Sequence, residues 1–200
     1  QFIVSGSTLF VNAPGAFLGI GSADGITTGT AGNIQTTGGR IFNSNATYNY
    51  NGVTNQVTGN GLPVTVQILS ISSFGGVGNN TITLTTTNTT VDRFNLNTGY
   101  FVAGTNGNLN IADGGAVFGT GGHQPNNPVA GTITFLGNGK TEGSTPGFPN
   151  LYAVIVNGGV NFNGDLMVGS ATVLNRLQIN STAFVQTNAP FYAAGSTLIY

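Results

Sequence analysis

The chain has 200 residues, of which only 4% are charged, against roughly 25% in ordinary globular sequences, and its formal net charge is −1. Its four cations, Arg40, Arg93, Lys140 and Arg176, stand far apart, so no basic stripe exists to neutralise phosphates, which excludes nucleic acid and anionic membrane surfaces as partners. Cysteine is absent, and with it disulfides, thiolate metal sites and cysteine nucleophiles.

The polar surface must come from neutral groups: 33 Gly, 28 Thr and 26 Asn. Hydrophobic residues still make up 39% of the chain, enough for a core, so the low charge does not signal disorder. No stretch approaches the ~18 consecutive apolar residues that span a bilayer, so membrane insertion is not expected.

In chain order, the first element is an alternating strand, FIVSGSTLFV at 2–11, directly behind Gln1. A start without methionine fits a mature terminus left by signal-peptide removal. Short alternating runs then follow one another: TLFV at 8–11, VQILSI at 66–71, TITL at 81–84, LNI at 109–111, TITF at 132–135, AVIV at 153–156 and LQI at 177–179. Each is bounded by Gly, Asn, Asp or Pro, as strands joined by tight turns require. No window sustains apolar residues at i, i+3, i+4 and i+7, so no long helix is expected.

Two segments echo each other. RFNLNTGYFV at 93–102 and RLQINSTAFV at 176–185 share their Arg, Asn and Phe-Val, displaced by 176 − 93 = 83 positions. The echo extends outward from Tyr50 to Phe135, Pro63 to Pro149, Gly75-Gly76-Val77 to Gly158-Gly159-Val160, and Ile82 to Leu166. Residues 47–105 and 132–188 thus read as diverged copies. The domain division expected is an N-terminal cap or first coils at 1–45, a first unit at 46–125 and a second at 126–200. In that register Tyr200 corresponds to about Val117, so the second unit stops before its counterpart and the native chain is expected to continue.

A shorter echo lies inside. Leu9-Phe10-Val11 before Gly15-Ala16-Phe17 resembles Leu109-Asn110-Ile111 before Gly115-Ala116-Val117, and Leu177-Gln178-Ile179 before Ala183-Phe184-Val185 is a third case. Such strand-turn-strand pieces favour an all-β fold, a right-handed parallel β-helix or solenoid with coils of about 20 residues closed by Gly and Asn corners. Tandem β-sandwich domains are the alternative. Stacked coils also suit Asn and Thr, whose amides and hydroxyls can bond in ladders, and an uncharged surface avoids like charges on neighbouring strands.

ATYNYNGVTNQVTGNGLPVTVQILSIS at 46–72, TITLTTTNTTVDRFNLN at 81–97 and NAPFYAAGSTLIY at 188–200 resemble repeats of large secreted surface proteins of Bacteroidota exported by the type IX system. The resemblance implies an extracellular, repetitive, stalk-like or adhesive protein whose sorting signal sits at a far C-terminus.

Candidates for chemistry are few. GNGKT at 137–141 ends like a phosphate loop, but Thr134 stands where G-x-x-x-x-G-K-T needs Gly, and EGSTPGFP behind it offers no helix N-terminus. His123 is the single histidine and has no Cys, second His or nearby carboxylate in sequence to complete a metal shell. No G-x-S-x-G elbow accompanies the serines. Asp24, Asp92, Asp113, Glu142 and Asp165 are isolated, whereas polysaccharide cleavage needs paired carboxylates; Asp92 beside Arg93 suggests a local ion pair or a turn. Thr81, Thr83, Thr85 and Thr87 alternate as an ice-binding strand would, but Asp165, Met167, Gly169 and Ala171 stand near those places in the second copy, so the array does not extend. Asn45, Asn79, Asn88 and Asn180 open N-x-[ST] sequons, glycosylation sites if the producer modifies secreted proteins.

Arg93 and Arg176 are expected to clamp the fold, each stem covering an adjacent coil while its guanidinium bonds exposed carbonyls or a carboxylate; a glycan contact is the other role for them. No catalytic, cofactor-binding or metal residue is assigned. The function expected is non-enzymatic: a secreted, cell-surface stalk or adhesin module whose partners are itself, other surface proteins or glycans, together with the secretion and attachment machinery. A self-assembling filament and a polysaccharide-binding or -cleaving β-helix are the alternatives.

Overall fold

A computed structural model describes residues 3–104, 108–124, 131–142, 150–162, 166–179, 185–187 and 189–200. Among them there is no helix, and every pairing between named strands is parallel. The chain is a parallel β-helix, because each coil lays its strands on those of the coil before it in the same direction.

Three faces recur. Face A stacks Phe17–Ile20, Thr47–Tyr50, the second half of Thr65–Ser72, the middle of Thr89–Thr98, the end of Asn108–Gly119, then Gly139–Glu142, Gly159–Phe162, Arg176–Ile179 and Thr197–Ile199. Its inward residues Leu18, Tyr48, Leu69, Phe94, Val117 and Thr141 lie one above another. Face B stacks Gln56–Val57, Thr81–Thr83, Tyr100–Val102 and Gly122–Gln124. Face C aligns the buried side chains of Val66, Val91, Ile111, Phe135, Val156 and Val173 with half-buried Tyr192. Alternation with period two therefore turns the inward side of these strands into a largely apolar core, interrupted by buried Gln56 on face B and Thr141 on face A.

The face C column also measures the coils. From Val66 to Val91, Ile111, Phe135, Val156, Val173 and Tyr192 the steps are 25, 20, 24, 21, 17 and 19 residues. The opening coil is longer: Val4 pairs with Ile34, Phe10 with Arg40 and Phe17 with Thr47, each 30 residues apart. Residues 21–33 make up the difference as an excursion closed by an antiparallel bridge between Ile26 and Gly32.

The corner from face C to face A has a readable formula. Ala13-Pro14-Gly15-Ala16 turns with the Ala16 amide donating to the Ala13 carbonyl and Gly15 at φ 73°. Ala193-Ala194-Gly195-Ser196 repeats this, with Ser196 donating to Ala193 and Gly195 at φ 82°. A positive φ at the third position is what a type II turn demands. The expected likeness of 9–17 to 109–117 fails in register: Phe17 aligns through Thr47, Ile68 and Arg93 with Ala116, not with Val117, and Leu9, Val11 and Phe17 are exposed where Leu109, Ile111 and Val117 are buried.

The longer echo corresponds less well. Tyr50 points inward on face A and Phe135 inward on face C, so that match joins different columns. Leu177–Ile179 likewise lies on face A while Val185 lies with Leu166, so the third short echo spans another corner. Corner length explains the slippage. The aligned rows of face C and face A are offset by two positions at Val66/Ile68 and Val91/Arg93, by five at Ile111/Ala116, Phe135/Lys140, Val156/Asn161 and Val173/Gln178, and by seven at Tyr192/Ile199. Equal sequence offsets therefore do not mean equal places in the fold. Pro149 lies outside the described residues.

Candidate functional site

The two echoed arginines both emerge on the outside of face A, but two rungs out of register. Arg93 aligns through Ala116, Lys140 and Asn161 with Gln178, not with Arg176, which pairs with Gly159. Each guanidinium bonds the amide oxygen two residues on: Arg93 Nε donates to Asn95 Oδ1 and a terminal Arg176 nitrogen to Gln178 Oε1, both at 2.7 Å. Spacing i, i+2 puts both partners on the same strand face.

It is their guanidinium groups that reach neighbouring coils, in opposite directions. Arg93 lies over the Phe118 ring of the following coil, 4.8 Å from its centroid, and Arg176 lies across Gly159 of the preceding one. Neither guanidinium is bonded to a main-chain carbonyl or a carboxylate among the hydrogen bonds identified. Asp92, exposed at the bulge before Arg93, forms no ion pair with it; alternation breaks there and leaves both side chains in solvent.

The clamp on main-chain carbonyls is Arg40, which sequence reasoning passed over. Its Nε donates to Ile34 (3.1 Å), one terminal nitrogen to Thr28 (2.9 Å) and the other to Thr36, tying the 21–33 excursion to the next strand. Gln56 does comparable work inside. Fully buried at the inward position below Ile82, it accepts from the Gly52 amide (2.8 Å) and donates to the carbonyls of Ile20 (2.9 Å) and Ser22 (2.8 Å).

The remaining candidates disperse. Asn138 and Lys140 of GNGKT sit in a turn and in the strand Gly139–Glu142, and residues 143–149 behind them lie outside the described residues. Asp113 accepts from the Asn138 amide at 2.7 Å and so braces that turn. Asp24 is exposed at the 21–33 excursion, and Asp165 lies outside the described residues. No cluster of three or more His, Asp or Glu side chains occurs among the described residues. His123 occupies the register position of Ile82 and Phe101 on face B. Thr81 and Thr83 are flanked there by Tyr100 and Val102, which ends the threonine array one coil on. The sequon residues Asn45, Asn79 and Asn88 are exposed in turns, Asn88 at φ 54°, a left-handed conformation that Asn tolerates; Asn180 is outside the described residues.

A comparison with known protein families, curated proteins and solved structures finds no match. The chemistry must therefore be read from the surface itself.

One feature of that surface has ligand-like geometry. Where face A turns into face B, an open groove of about 290 Å³ is lined by Asn80, Asn97, Thr98, Tyr100, Thr120 and Gly122. Tyr100 is 41% exposed, and its ring leans over Gly122 of the next coil, 2.6 Å from where a Cβ would sit. No charge pattern or motif announced this groove, because its members come from three successive coils.

Proposed function

We propose that this chain is a structural, non-enzymatic β-solenoid that serves as a rigid spacer within an extracellular surface protein. The observation that carries the reading is the uninterrupted parallel ladder of face A from Phe17 to Ile199, with a largely apolar core beneath it. Stacked coils contact only their neighbours, so such a body extends along one axis in proportion to coil number. The sparse charge supports a surface built to be inert.

Location outside the cell, attachment to its surface and export by the type IX route are parts of this proposal that rest on the resemblance to Bacteroidota surface repeats. Electron microscopy and small-angle scattering of the purified chain test the spacer: the expected result is a rod of constant cross-section. Ordered polymers would favour the filament reading instead, and cleavage of a polysaccharide lost on a single Asp substitution would refute the non-enzymatic one. Protease shaving of intact producing cells, with and without a working type IX channel, tests location.

A further inference from the structure

We infer that the groove beside Tyr100 is a binding subsite for a neutral glycan. The inference goes beyond the spacer role and does not depend on it.

The first ground is the ring. Tyr100 pairs with Thr81 on one side and Gly122 on the other. Because residue 122 has no side chain, the Cδ1–Cε1 edge of the ring occupies the space a Cβ would take there, 2.6 and 2.7 Å from it, and the ring, 41% exposed, lines the groove. A fixed, half-exposed aromatic ring offers apolar area at little entropic cost.

The second ground is the set of polar atoms around it, whose directions are already decided. The Thr98 hydroxyl donates to the Ser73 carbonyl (3.0 Å) and the Thr120 hydroxyl to the Asn97 carbonyl (2.9 Å), so both hydroxyl oxygens are left as acceptors. Asn97 spends its amide nitrogen on Ser70 Oγ (3.3 Å) and Ser72 Oγ (3.1 Å), leaving Oδ1 as a third acceptor. The Asn80 amide and the Tyr100 hydroxyl make no hydrogen bond with the described residues, although the Asn80 carbonyl receives the Tyr100 amide at 2.9 Å. The groove therefore combines an apolar plate, oriented acceptors and one free amide.

The third ground is charge. Beyond the Tyr100 phenol, none of the lining residues ionises. A phosphate or carboxylate would find no cation there, and a wholly apolar ligand would strip water from acceptors without replacing it. A pyranose has the complementary make-up: one face of C–H bonds to lie on the ring, and a rim of hydroxyls to donate to Asn97, Thr98 and Thr120. The groove opens to solvent, so a polymer can pass through it.

Affinity electrophoresis of the 200-residue chain in native gels containing mixed-linkage β-glucan, xylan, galactomannan, soluble starch or polygalacturonate tests the inference. At least one neutral polymer should retard it; titration calorimetry with the matching oligosaccharide then gives a Kd. Tyr100→Ala should weaken binding about tenfold or more, Tyr100→Phe should stay within about twofold of the parent because the plate remains, and Gly122→Ala should weaken it by displacing the ring. Tyr100 is a surface residue, so its two variants decide the matter even if Gly122→Ala misfolds. Retardation by none of the neutral polymers, equal binding by Tyr100→Ala, or preference for polygalacturonate would overturn it.

Discussion

The Tyr50 hydroxyl donates to the carbonyl of Thr58 across 2.7 Å, from a ring with no exposed surface. Burial, with a smaller contribution from Tyr48 two residues earlier on the same strand, holds the Tyr50 phenol well above its ordinary value of 10.0. Tyr48 is raised as well by burial, partly offset by the hydrogen bond from Asn12. The unfolded chain thus releases these protons first, so their contribution is fully present below about pH 10 and is lost as pH climbs toward the folded values. Melting temperatures from pH 8 to 11.5 should fall above about pH 10. Tyr50→Phe should fall less steeply while starting about 1 kcal/mol less stable for want of its hydrogen bond; identical slopes would contradict this.

Gln56→Leu removes the acceptor of the buried Gly52 amide, and no other partner stands near it in the hydrogen-bond network. Urea denaturation should show a loss of about 1–3 kcal/mol. Gln56→Glu keeps the acceptor but turns the donor toward Ile20 and Ser22 into an oxygen facing two carbonyls. That carboxyl should be raised in the folded state, so stability should decline as pH rises past about 4.3, the ordinary Glu value; a flat profile between pH 4 and 7 would count against the geometry.

Arg40 and Arg93 are chemically identical but should respond differently to truncation. Arg40→Ala strands three carbonyl contacts at the 21–33 excursion and should cost about 2 kcal/mol. Arg93→Ala forfeits an exposed bond to Asn95 and the approach to Phe118, worth about 0.5–1 kcal/mol. If Arg93→Ala proves the more damaging in chemical denaturation, the assignment of the clamp to Arg40 fails.

Phe94 and Phe101 meet edge to face with centroids 4.8 Å apart, both wholly buried between faces A and B. Phe94→Ala should cost about 3–5 kcal/mol through the cavity it opens. Phe74, 71% exposed in the turn after Thr65–Ser72, provides the control: its alanine variant should lie within about 0.5 kcal/mol of the parent.

Much of the architecture was legible because its causes are local. Period-two alternation in VQILSI and TITF, and turn formulas such as Ala13-Pro14-Gly15, act over a few residues and hold whatever the strands stack upon. The 83-residue echo misled where it crossed corners, because corner offsets of two, five and seven positions shift the register without leaving a periodic mark.

By itself, then, the sequence determined the near absence of charge, and through side-chain alternation and backbone conformational preference the strands and turns, while leaving stacked coils and tandem sandwiches both open until the parallel pairing decided between them. Only the tertiary structure decided which residues share a column, that Arg40 instead of Arg93 holds main-chain carbonyls, and that Tyr100 lies on Gly122 beside Asn97 and Thr120. Those relations depend on how far each corner advances the chain before the next strand pairs, a length summed over whole coils that no short window of residues contains.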